Sequence, residues 1–326
     1  MQISSNRTEP SLENMKMKIK ISPNIKEVLS DILNFLFLLL KILYYICEGV
    51  YRLFVPKKKK CVTGEIVLVT GAGQGIGREL AIGYASLGAT VVCWDINKET
   101  NERTMNEIKR MGNSSVYAYR CDISDRNEIF ETAEKMRKEI GDVTILVNNA
   151  AIAPLATFED YSADEISSVM NVNLIAHYWM MKVFLPSMVE KNHGHVVAIS
   201  SILALCGGQF GTLYCPTKSA VRALMECIRE ELRVNTKGKS SVKFTTILPG
   251  LVTTDMTRNL RLRFPRLVGL YSPREAASLI IDAQRRDIIE KLFPSYCRPI
   301  LIIIRLLPDK VQMCIADWLE INVIDN

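Results

Sequence analysis

From residue 65 onward, short apolar runs alternate with longer segments in which apolar residues recur at helical spacing. Runs of this kind, each followed by a turn, are typical of strands buried on both faces. A sheet whose strands are joined by helices is parallel, and the helices cover both of its faces. We therefore predict an α/β fold with a doubly wound parallel sheet. The predicted strands are 66–69, 90–94, 116–121, 143–147, 195–199 and 288–293.

Residues 28–55 have a different pattern, because they are apolar almost throughout and a run of lysines follows them. A membrane-spanning helix needs about 20 apolar residues, and this segment reaches that length only if Lys41 is included. We interpret 28–60 as a membrane anchor with a basic block, which places the following domain on the cytosolic side. A helix lying in the membrane interface is an open alternative, whereas a cleaved signal peptide or a buried core helix fits less well. Residues 1–27 are polar, and we expect them to be mobile.

The charge is distributed unevenly. The whole net charge of +6 lies in residues 1–60, whereas residues 61–326 contain 30 basic and 30 acidic side chains. A neutral body argues against a nucleic-acid-binding protein, and a basic N-terminal segment fits a membrane surface. The nine cysteines form no C-x-x-C pair or Cys/His cluster, which indicates free thiols in a reducing compartment and no metal site. We interpret His193 and His195 as a turn leading into a strand rather than as metal ligands.

A glycine-rich turn follows the first predicted strand. Gly71, Gly75 and Gly77 lie between that strand and an amphipathic helix. Glycines allow a tight turn, and they let backbone N–H groups approach a pyrophosphate at the positive end of a helix. The second strand is followed by Asp95, where a carboxylate would accept hydrogen bonds from the adenosine ribose and repel a 2′-phosphate. The pattern predicts a dinucleotide site that favours NAD over NADP.

The third feature is a serine, a tyrosine and a lysine within residues 201–218. Tyr214 and Lys218 are four residues apart and share one face of a helix, while Ser201 follows the predicted strand 195–199. The three groups suit proton exchange with an alcohol or a carbonyl, and we expect the lysine to lower the pKa of the phenol. A tyrosine and a lysine at this spacing are weak evidence alone. The dinucleotide turn upstream strengthens the interpretation.

Together the motifs resemble those of the short-chain dehydrogenase/reductase family over about residues 64–293. T-G-x-x-x-G-x-G spans residues 70–77, N-N-A-G appears as N-N-A-A at residues 148–151, and Y-x-x-x-K spans residues 214–218. The resemblance implies a Rossmann-type fold, an NAD-dependent oxidoreductase acting on CH–OH groups and a homodimer. It assigns catalysis to Ser201, Tyr214, Lys218 and Asn173, with Asn173 holding a water that relays the proton. It assigns cofactor binding to Gly71, Gly75, Ile76, Gly77, Asp95, Asp122, Asn149, Tyr214, Lys218 and Thr254.

Other runs resemble one lipid-processing branch of that family. W-D-I-N-K, N-H-G-H and F-L-P-S-M are similar to sequences of the epidermal retinol dehydrogenases and of the 17-beta-hydroxysteroid dehydrogenases of lipid droplets and endoplasmic reticulum. The resemblance implies a lipophilic small-molecule substrate, with oxidation of retinol to retinal as the leading hypothesis. It also implies a location at the endoplasmic reticulum membrane or the lipid droplet. A 17-beta-hydroxysteroid dehydrogenase and a non-catalytic lipid-droplet scaffold are the alternatives.

Two residues depart from the family pattern. Ala151 stands where glycine is usual and adds a methyl group near the expected cofactor. Pro216 lies between the tyrosine and the lysine, where a proline deep inside a helix would kink it. We expect the helix to begin near Tyr214, so that Pro216 falls in the first turn, where its missing N–H group costs nothing.

The dehydrogenase domain is predicted over residues 61–298, and two further segments bear on the substrate. Residues 255–271 interleave arginines with apolar residues, which suits either a solvated lid or a contact with lipid headgroups. Residues 299–326 form an apolar C-terminal extension, in which the continuous apolar stretch 299–308 is too short to span a membrane. This extension either caps the pocket or dips into the membrane, and we favour the second.

Overall fold

The computed structural model describes residues 25–258, 260–264, 269–319 and 321–323. The chain forms two compact units that divide between Lys57 and Lys58. Residues 1–24 of the predicted mobile N-terminus, residues 259 and 265–268 of the predicted lid, and residues 320 and 324–326 of the C-terminal extension lie outside the described residues.

The described part of the first unit contains one long helix, α1 (Ile25–Phe54). Its large apolar side chains are exposed along its whole described length, from Val28 to Phe54. By length and composition the segment Glu27–Phe54 can cross a membrane. The apolar pattern of residues 28–55 therefore forms a helix, as the anchor interpretation requires.

The second unit is built on a seven-stranded parallel sheet. The strands of this sheet are β1 (Ile66–Thr70), β2 (Thr90–Asp95), β3 (Val116–Arg120), β4 (Ile145–Asn148), β5 (His195–Ile199), β6 (Lys243–Pro249) and β10 (Glu290–Phe293). Their order across the sheet is β10-β6-β5-β4-β1-β2-β3. Helices cover both faces, so the predicted doubly wound α/β fold is confirmed. Two small sheets pair β7 (Leu251–Val252) with β9 (Leu270–Tyr271) and β8 (Leu260–Leu262) with β11 (Ile321–Val323).

The helices of this unit follow the strands in alternation. They are α2 (Gly75–Ser86), α3 (Lys98–Arg110), α4 (Arg126–Glu139), α5 (Ala163–Met170), α6 (Ala176–Glu190), α7 (Tyr214–Asn235), α8 (Pro273–Arg285), α9 (Cys297–Leu306) and α10 (Asp309–Leu319).

Each face of the sheet has its own hydrophobic core, because successive strand residues point to opposite faces. One core joins Val67 and Val147 of the sheet to α2 and α8. The other joins Leu146 and Ala198 to α4, α6 and α7, with Phe184 among the largest buried side chains. The carboxyl ends of all seven strands meet at one edge of the sheet, and this edge carries the predicted site residues.

The basic block after the anchor belongs in part to the dehydrogenase unit. The Lys59 and Lys60 ammonium groups lie 2.8 Å from Asp282 and 2.7 Å from Asp287. The backbone N–H of Lys60 donates to the Arg285 carbonyl oxygen over 2.7 Å. These contacts fasten the start of the unit to the end of α8. The sequence pattern assigned the lysines to the anchor, whereas the structure places the boundary before Lys58.

Candidate active site

The glycine turn after β1 has the close approach that its sequence predicts. Gly71 and Gly75 have φ angles of +67° and +56°, a region that L-residues with side chains rarely adopt. A Cβ atom on Gly77 would lie 2.0 Å from the Gly71 carbonyl oxygen. The Thr70 hydroxyl accepts hydrogen bonds from the backbone N–H groups of Asn149 (3.0 Å) and Ala150 (3.1 Å). The turn is therefore locked against the segment that follows β4.

Asp95 closes the far side of this turn. Its carboxylate accepts hydrogen bonds from the backbone N–H groups of Gly73 and Asn97, each over 2.8 Å. Arg78, the basic residue that follows the last glycine, is held by the Glu107 carboxylate at 2.5–2.6 Å and also pairs with Glu79. The rim next to the expected ribose position therefore presents a carboxylate, while the nearby guanidinium is already engaged by two acids.

Ser201, Tyr214 and Lys218 come together at the other end of the site. The Ser201 hydroxyl caps the short helical turn after β5 by accepting from the Leu203 N–H over 3.1 Å, and it also hydrogen-bonds the Tyr214 phenol. The Lys218 ammonium lies 5.4 Å from the centre of the Tyr214 ring and donates to the Ile199 carbonyl oxygen over 2.9 Å. The expected grouping of strand-end serine and helical tyrosine and lysine is present.

The helix that carries this pair begins at Tyr214, as predicted. Pro216 therefore lies in the first turn of α7, where backbone N–H groups have no partner inside the helix. Lys218 is buried one turn later and still approaches the Tyr214 ring. The proline does not displace the lysine.

The pKa values of this pair differ from the sequence-based expectation. Burial raises the pKa of Tyr214 to about 12, and the hydrogen bond from Ser201 opposes the rise. Burial lowers the pKa of Lys218 to about 8. We expected the lysine charge to lower the phenol pKa, but the ammonium bonds a backbone carbonyl and desolvation of the phenol dominates. In this structure the tyrosine is a phenol at neutral pH.

Asn173 lies in a π-helical turn, Asn171–Ile175, between α5 and α6. Its side-chain Oδ1 accepts from the Ile152 N–H, and its Nδ2 donates to the Ile152 carbonyl oxygen, both over 2.8 Å. Nδ2 also donates to the Thr217 hydroxyl over 3.3 Å. Both amide hydrogens of Asn173 are thus engaged by protein groups, and the side chain fixes the segment after β4 to α7.

A cleft of about 460 Å³ runs along the carboxyl edge between the glycine turn and the tyrosine. Of the predicted site residues, Gly77 and Asn173 do not line it, and both are buried. Thr254 faces the glycine turn across the cleft, and the Asp122 carboxylate is held by the Ser124 N–H over 2.9 Å. The predicted residues that line the cleft are Gly71, Gly75, Ile76, Asp95, Asp122, Asn149, Ser201, Tyr214, Lys218 and Thr254.

Several lining residues were not predicted. Gln74, Ile96 and Ile123 each neighbour a predicted residue and come to the cleft because their turns curve around it. Ser200 also lines the cleft, and its hydroxyl donates to the Lys218 carbonyl oxygen over 2.7 Å. Their sequence positions, next to the ends of predicted strands, are the signal that could have identified them as lining residues.

Comparison with known proteins identifies this arrangement. The family model of the short chain dehydrogenases matches residues 65–263, more than half of the chain. The chain belongs to the short-chain dehydrogenase family. The matched residues include the glycine turn, the cleft and the serine, tyrosine and lysine described above, and the chain is therefore an oxidoreductase of the class that acts on CH–OH groups.

This short-chain dehydrogenase has relatives of similar length. Epidermal retinol dehydrogenase 2 of Mus musculus is 38% identical over 293 residues, which cover 90% of this chain and 94% of the relative. The 17-beta-hydroxysteroid dehydrogenase 13 of Homo sapiens is 36% identical over 281 residues, which cover 86% of this chain and 92% of the relative. The branch of the family that the sequence motifs indicated is confirmed.

Among solved structures, a metagenomic short-chain oxidoreductase in complex with NADP aligns with a TM-score of 0.60 and 25% identity. The alignment covers 72% of this chain and 97% of that structure. The fold of this short-chain dehydrogenase is therefore of the Rossmann type, and its family uses a nicotinamide cofactor. The crowded glycine turn, the amino end of α2 and the cleft beside them fit such a cofactor.

Proposed function

We propose that this protein is a membrane-anchored, NAD-dependent dehydrogenase of a lipophilic alcohol, with retinol as the leading substrate and retinal as its product. The observation that carries the proposal is the position of Ser201, Tyr214 and Lys218 at the end of the cleft that begins at the glycine turn. A nicotinamide cofactor supplies the hydride acceptor or donor. The protein has to orient the alcohol or carbonyl and move one proton.

In this proposal Tyr214 exchanges the proton with the substrate oxygen. Its phenol donates the proton when a carbonyl is reduced, and its phenolate accepts the proton when an alcohol is oxidised. Burial raises the pKa of the phenol to about 12, so alcohol oxidation requires the positive charge of Lys218 beside the ring to favour the phenolate. Ser201 bonds the phenol and orients the same substrate oxygen. Lys218 holds positive charge beside the ring and approaches the nicotinamide ribose, while Asn173 positions the wall of the site through Ile152.

Cofactor binding is assigned to the turn and the strand ends. The backbone of Gly71, Gly75 and Ile76 approaches the pyrophosphate, and the tightly packed Gly77 permits that approach. Asn149 supports the turn by donating to the Thr70 carbonyl oxygen over 2.9 Å. Asp122 is assigned to the adenine, and Thr254 is assigned to the nicotinamide end of the cofactor.

Asp95 supports NAD over NADP. Its carboxylate lies where the adenosine ribose hydroxyls would be, and a 2′-phosphate there would meet like charge. Arg78 pairs with Glu107 and Glu79 instead of facing that position. The solved relative that binds NADP makes a direct comparison of the two cofactors a necessary part of the test.

Two apolar surfaces support a membrane-associated protein. α1 is long and apolar enough to cross a membrane. The C-terminal helices α9 and α10 expose large apolar side chains, with Leu306 81% and Met313 64% exposed. A lipophilic substrate also partitions into the membrane. We place the protein at the endoplasmic reticulum membrane or the lipid droplet, with the dehydrogenase unit on the cytosolic side and associated as a homodimer.

The second candidate is a 17-beta-hydroxysteroid dehydrogenase. It rests on the 36% identity to a relative of that name and uses the same serine, tyrosine and lysine. The two candidates differ only in the shape of the substrate end of the cleft. A non-catalytic scaffold would require cofactor binding without turnover.

The test measures substrate reduction and substrate oxidation catalysed by membranes that contain the full chain. All-trans-retinol, retinal and a 17-beta-hydroxysteroid pair are supplied with NAD(H) or NADP(H), and the change in reduced cofactor is followed. Tyr214→Phe should lower turnover by about a thousandfold, because it removes the proton donor, while cofactor binding is retained. Tyr117→Phe, at a tyrosine on β3 that is 39% exposed, is the matched control and should leave turnover unchanged.

Each outcome selects one candidate. Faster turnover with the steroid pair would favour the hydroxysteroid dehydrogenase. Cofactor binding with no turnover of any substrate, in the unsubstituted protein as well as in Tyr214→Phe, would support the scaffold and overturn the enzyme proposal.

A further inference from the structure

The end of the C-terminal extension folds onto the segment that follows Thr254. β11 pairs with β8 as an antiparallel ladder. The Trp318 ring near the end of α10 stacks on the Phe264 ring, with the ring centres 4.4 Å apart and the ring planes 25° from parallel. The sequence pattern does not predict this junction, because neither segment has a motif that indicates the other.

The segment that receives this pairing begins in the wall of the cleft. We call residues 255–258 and 260–264 the wall segment. Asp255, Met256 and Thr257 form a 3₁₀-helical turn at its start, and all three residues line the cleft. β8 begins three residues beyond this turn. Contacts that hold β8 therefore also set the position of the turn and of the apolar Met256 side chain.

The near end of the wall segment is fixed by hydrogen bonds of its own. The Thr257 hydroxyl donates to the Val252 carbonyl oxygen over 2.7 Å and accepts from the Thr254 N–H over 3.1 Å. Val252 belongs to β7, which pairs with β9. This end of the segment is therefore held without the C-terminal extension.

The far end has weaker support. Arg258 pairs with Asp255, but their side chains are 75% and 64% exposed, and an ion pair in water contributes little. β8 has three residues, and in the described part of the chain it forms a two-stranded sheet with β11. Two short strands are not stable in water unless other groups pack against them. The stack of Phe264 on Trp318 supplies such packing.

The extension that carries Trp318 is also fastened where it begins. Arg298, in the first turn of α9, pairs with the Glu290 carboxylate of β10. Arg222 of α7 binds the same carboxylate over 2.5 Å. The extension thus leads from the edge strand of the large sheet to the wall segment, and it is attached to the dehydrogenase unit at both ends.

We propose that the C-terminal extension completes the substrate end of the cleft, and that Trp318 is a positioning residue that holds the wall segment through Phe264. Trp318 does not itself line the cleft. It acts through β8 and the 3₁₀ turn on Met256, whose side chain faces the lipophilic substrate. The identity of that substrate rests on the proposed function, whereas the attachment of the wall segment does not.

The first test is limited proteolysis of the full chain in detergent, which requires no substrate. Trypsin cleaves after Arg263, an exposed residue of the wall segment, when the segment opens locally. Cleavage after Lys239, in the exposed turn before β6, is the internal standard. Trp318→Ala should raise cleavage after Arg263 about fivefold relative to this standard, since loss of one aromatic pair raises the open fraction by about that factor. Trp318→Phe keeps a stacking ring and should leave the ratio unchanged.

The second test measures the kinetics of the full chain in membranes. Trp318→Ala should raise KM for the lipophilic substrate about fivefold and leave kcat and the KM of the cofactor within about twofold, because the wall segment binds substrate and takes no part in proton transfer. Val311→Ala, at a 42% exposed position of the same helix, is the matched control and should change none of these values. Phe264→Ala should reproduce the effect of Trp318→Ala. The double variant should be no worse than either single variant, because both rings act through one contact.

Unchanged cleavage after Arg263 in Trp318→Ala would overturn the proposal, as would a full effect of Trp318→Phe. A higher KM without faster cleavage would also overturn it, because the ring would then contact the membrane or the substrate directly and would not hold the wall segment. The two tests separate this proposal from the proposed function. A protein that turns over neither retinoid nor steroid would contradict the function, and the proteolysis would still decide whether Trp318 holds the wall segment.

Discussion

Two histidines at opposite ends of the sheet are equally buried and differ in their partners. His195, at the amino end of β5, is 4% exposed, and His177, near the carboxyl end of β4, is 3% exposed. Burial is the main cause that lowers the pKa of each to about 3. Both ring nitrogens of His195 have partners, whereas Nδ1 of His177 has none within the described residues.

The partners of His195 form a chain with one consistent direction. The Thr245 hydroxyl donates to the Ile288 carbonyl oxygen over 2.7 Å, so it accepts from His195 Nε2 over 2.8 Å. Gln284 Nε2 then donates to His195 Nδ1 over 3.3 Å, and the Tyr84 hydroxyl donates to Gln284 Oε1 over 3.3 Å. A network in which each member is satisfied holds β5, β6 and α8 in register.

The two histidines illustrate two roles that buried polar side chains have in this protein. At the amino edge, His195 completes a closed network that involves no group of the cleft. On the other side, Asn148 and His177 are buried and have side-chain atoms without a hydrogen-bond partner among the described residues. We infer that the first edge serves stability and the second serves chemistry, and each can be tested separately.

The largest expected effect comes from Lys218→Met. Removing the charge should lower carbonyl reduction by about a thousandfold, because the proton-donating tyrosine loses its buried cation. The free energy of unfolding should stay within about 1 kcal/mol or rise, since removal of a desolvated charge offsets the lost bond to Ile199. Activity assays and urea denaturation of the same preparations check both parts. Lys182→Met, at an exposed position of α6, is the control, and a large loss of stability in Lys218→Met would contradict the contrast.

Much of this site followed from the sequence, because its residues sit at the ends of short apolar runs. Asp95, Asp122, Asn149 and Ser201 each follow a strand of a parallel sheet, and such ends share one edge whatever the loops do. The glycine turn was equally predictable from the spacing of its glycines. The structure explains that spacing at Gly77, where a side chain has no room. The spacing of apolar residues and the residue types in the turns therefore specify this part of the fold.

The electrostatics did not follow from the sequence. A spacing of four placed Tyr214 beside Lys218, but it gave neither the direction of the ammonium group nor the depth of burial that raises the phenol pKa. The environment of His177 was hidden for a related reason. Its sequence position is that of an ordinary core residue of α6, and only the three-dimensional packing shows that one ring nitrogen lacks a partner within the described part of the chain.

The second effect concerns the closed network. His195→Leu should lower the free energy of unfolding by about 3 kcal/mol, because the Gln284 amide and the Thr245 hydroxyl both lose a buried partner. Turnover per folded molecule should be unchanged, since the network lies at the edge opposite the cleft. Urea denaturation and kcat measured on the same sample check the prediction. His193→Leu should change stability by less than about 0.5 kcal/mol, and a loss of kcat in His195→Leu would show that the two edges are coupled.

The smallest effect tests what the two histidines share. Each has a folded pKa of about 3, below the value of 6.5 for a free imidazole, so the unfolded chain binds more protons between those pH values. Stability is therefore fully present above pH 6.5 and is lost as the pH falls toward 3. Between pH 7.5 and pH 5.5 each histidine should account for about 1 kcal/mol of the loss. His177→Asn and His195→Asn should each reduce the fall in melting temperature over this range by the same amount, although their stabilities at pH 7.5 differ. Unequal reductions would mean that the partners of His195, rather than burial alone, decide its charge state in the folded protein.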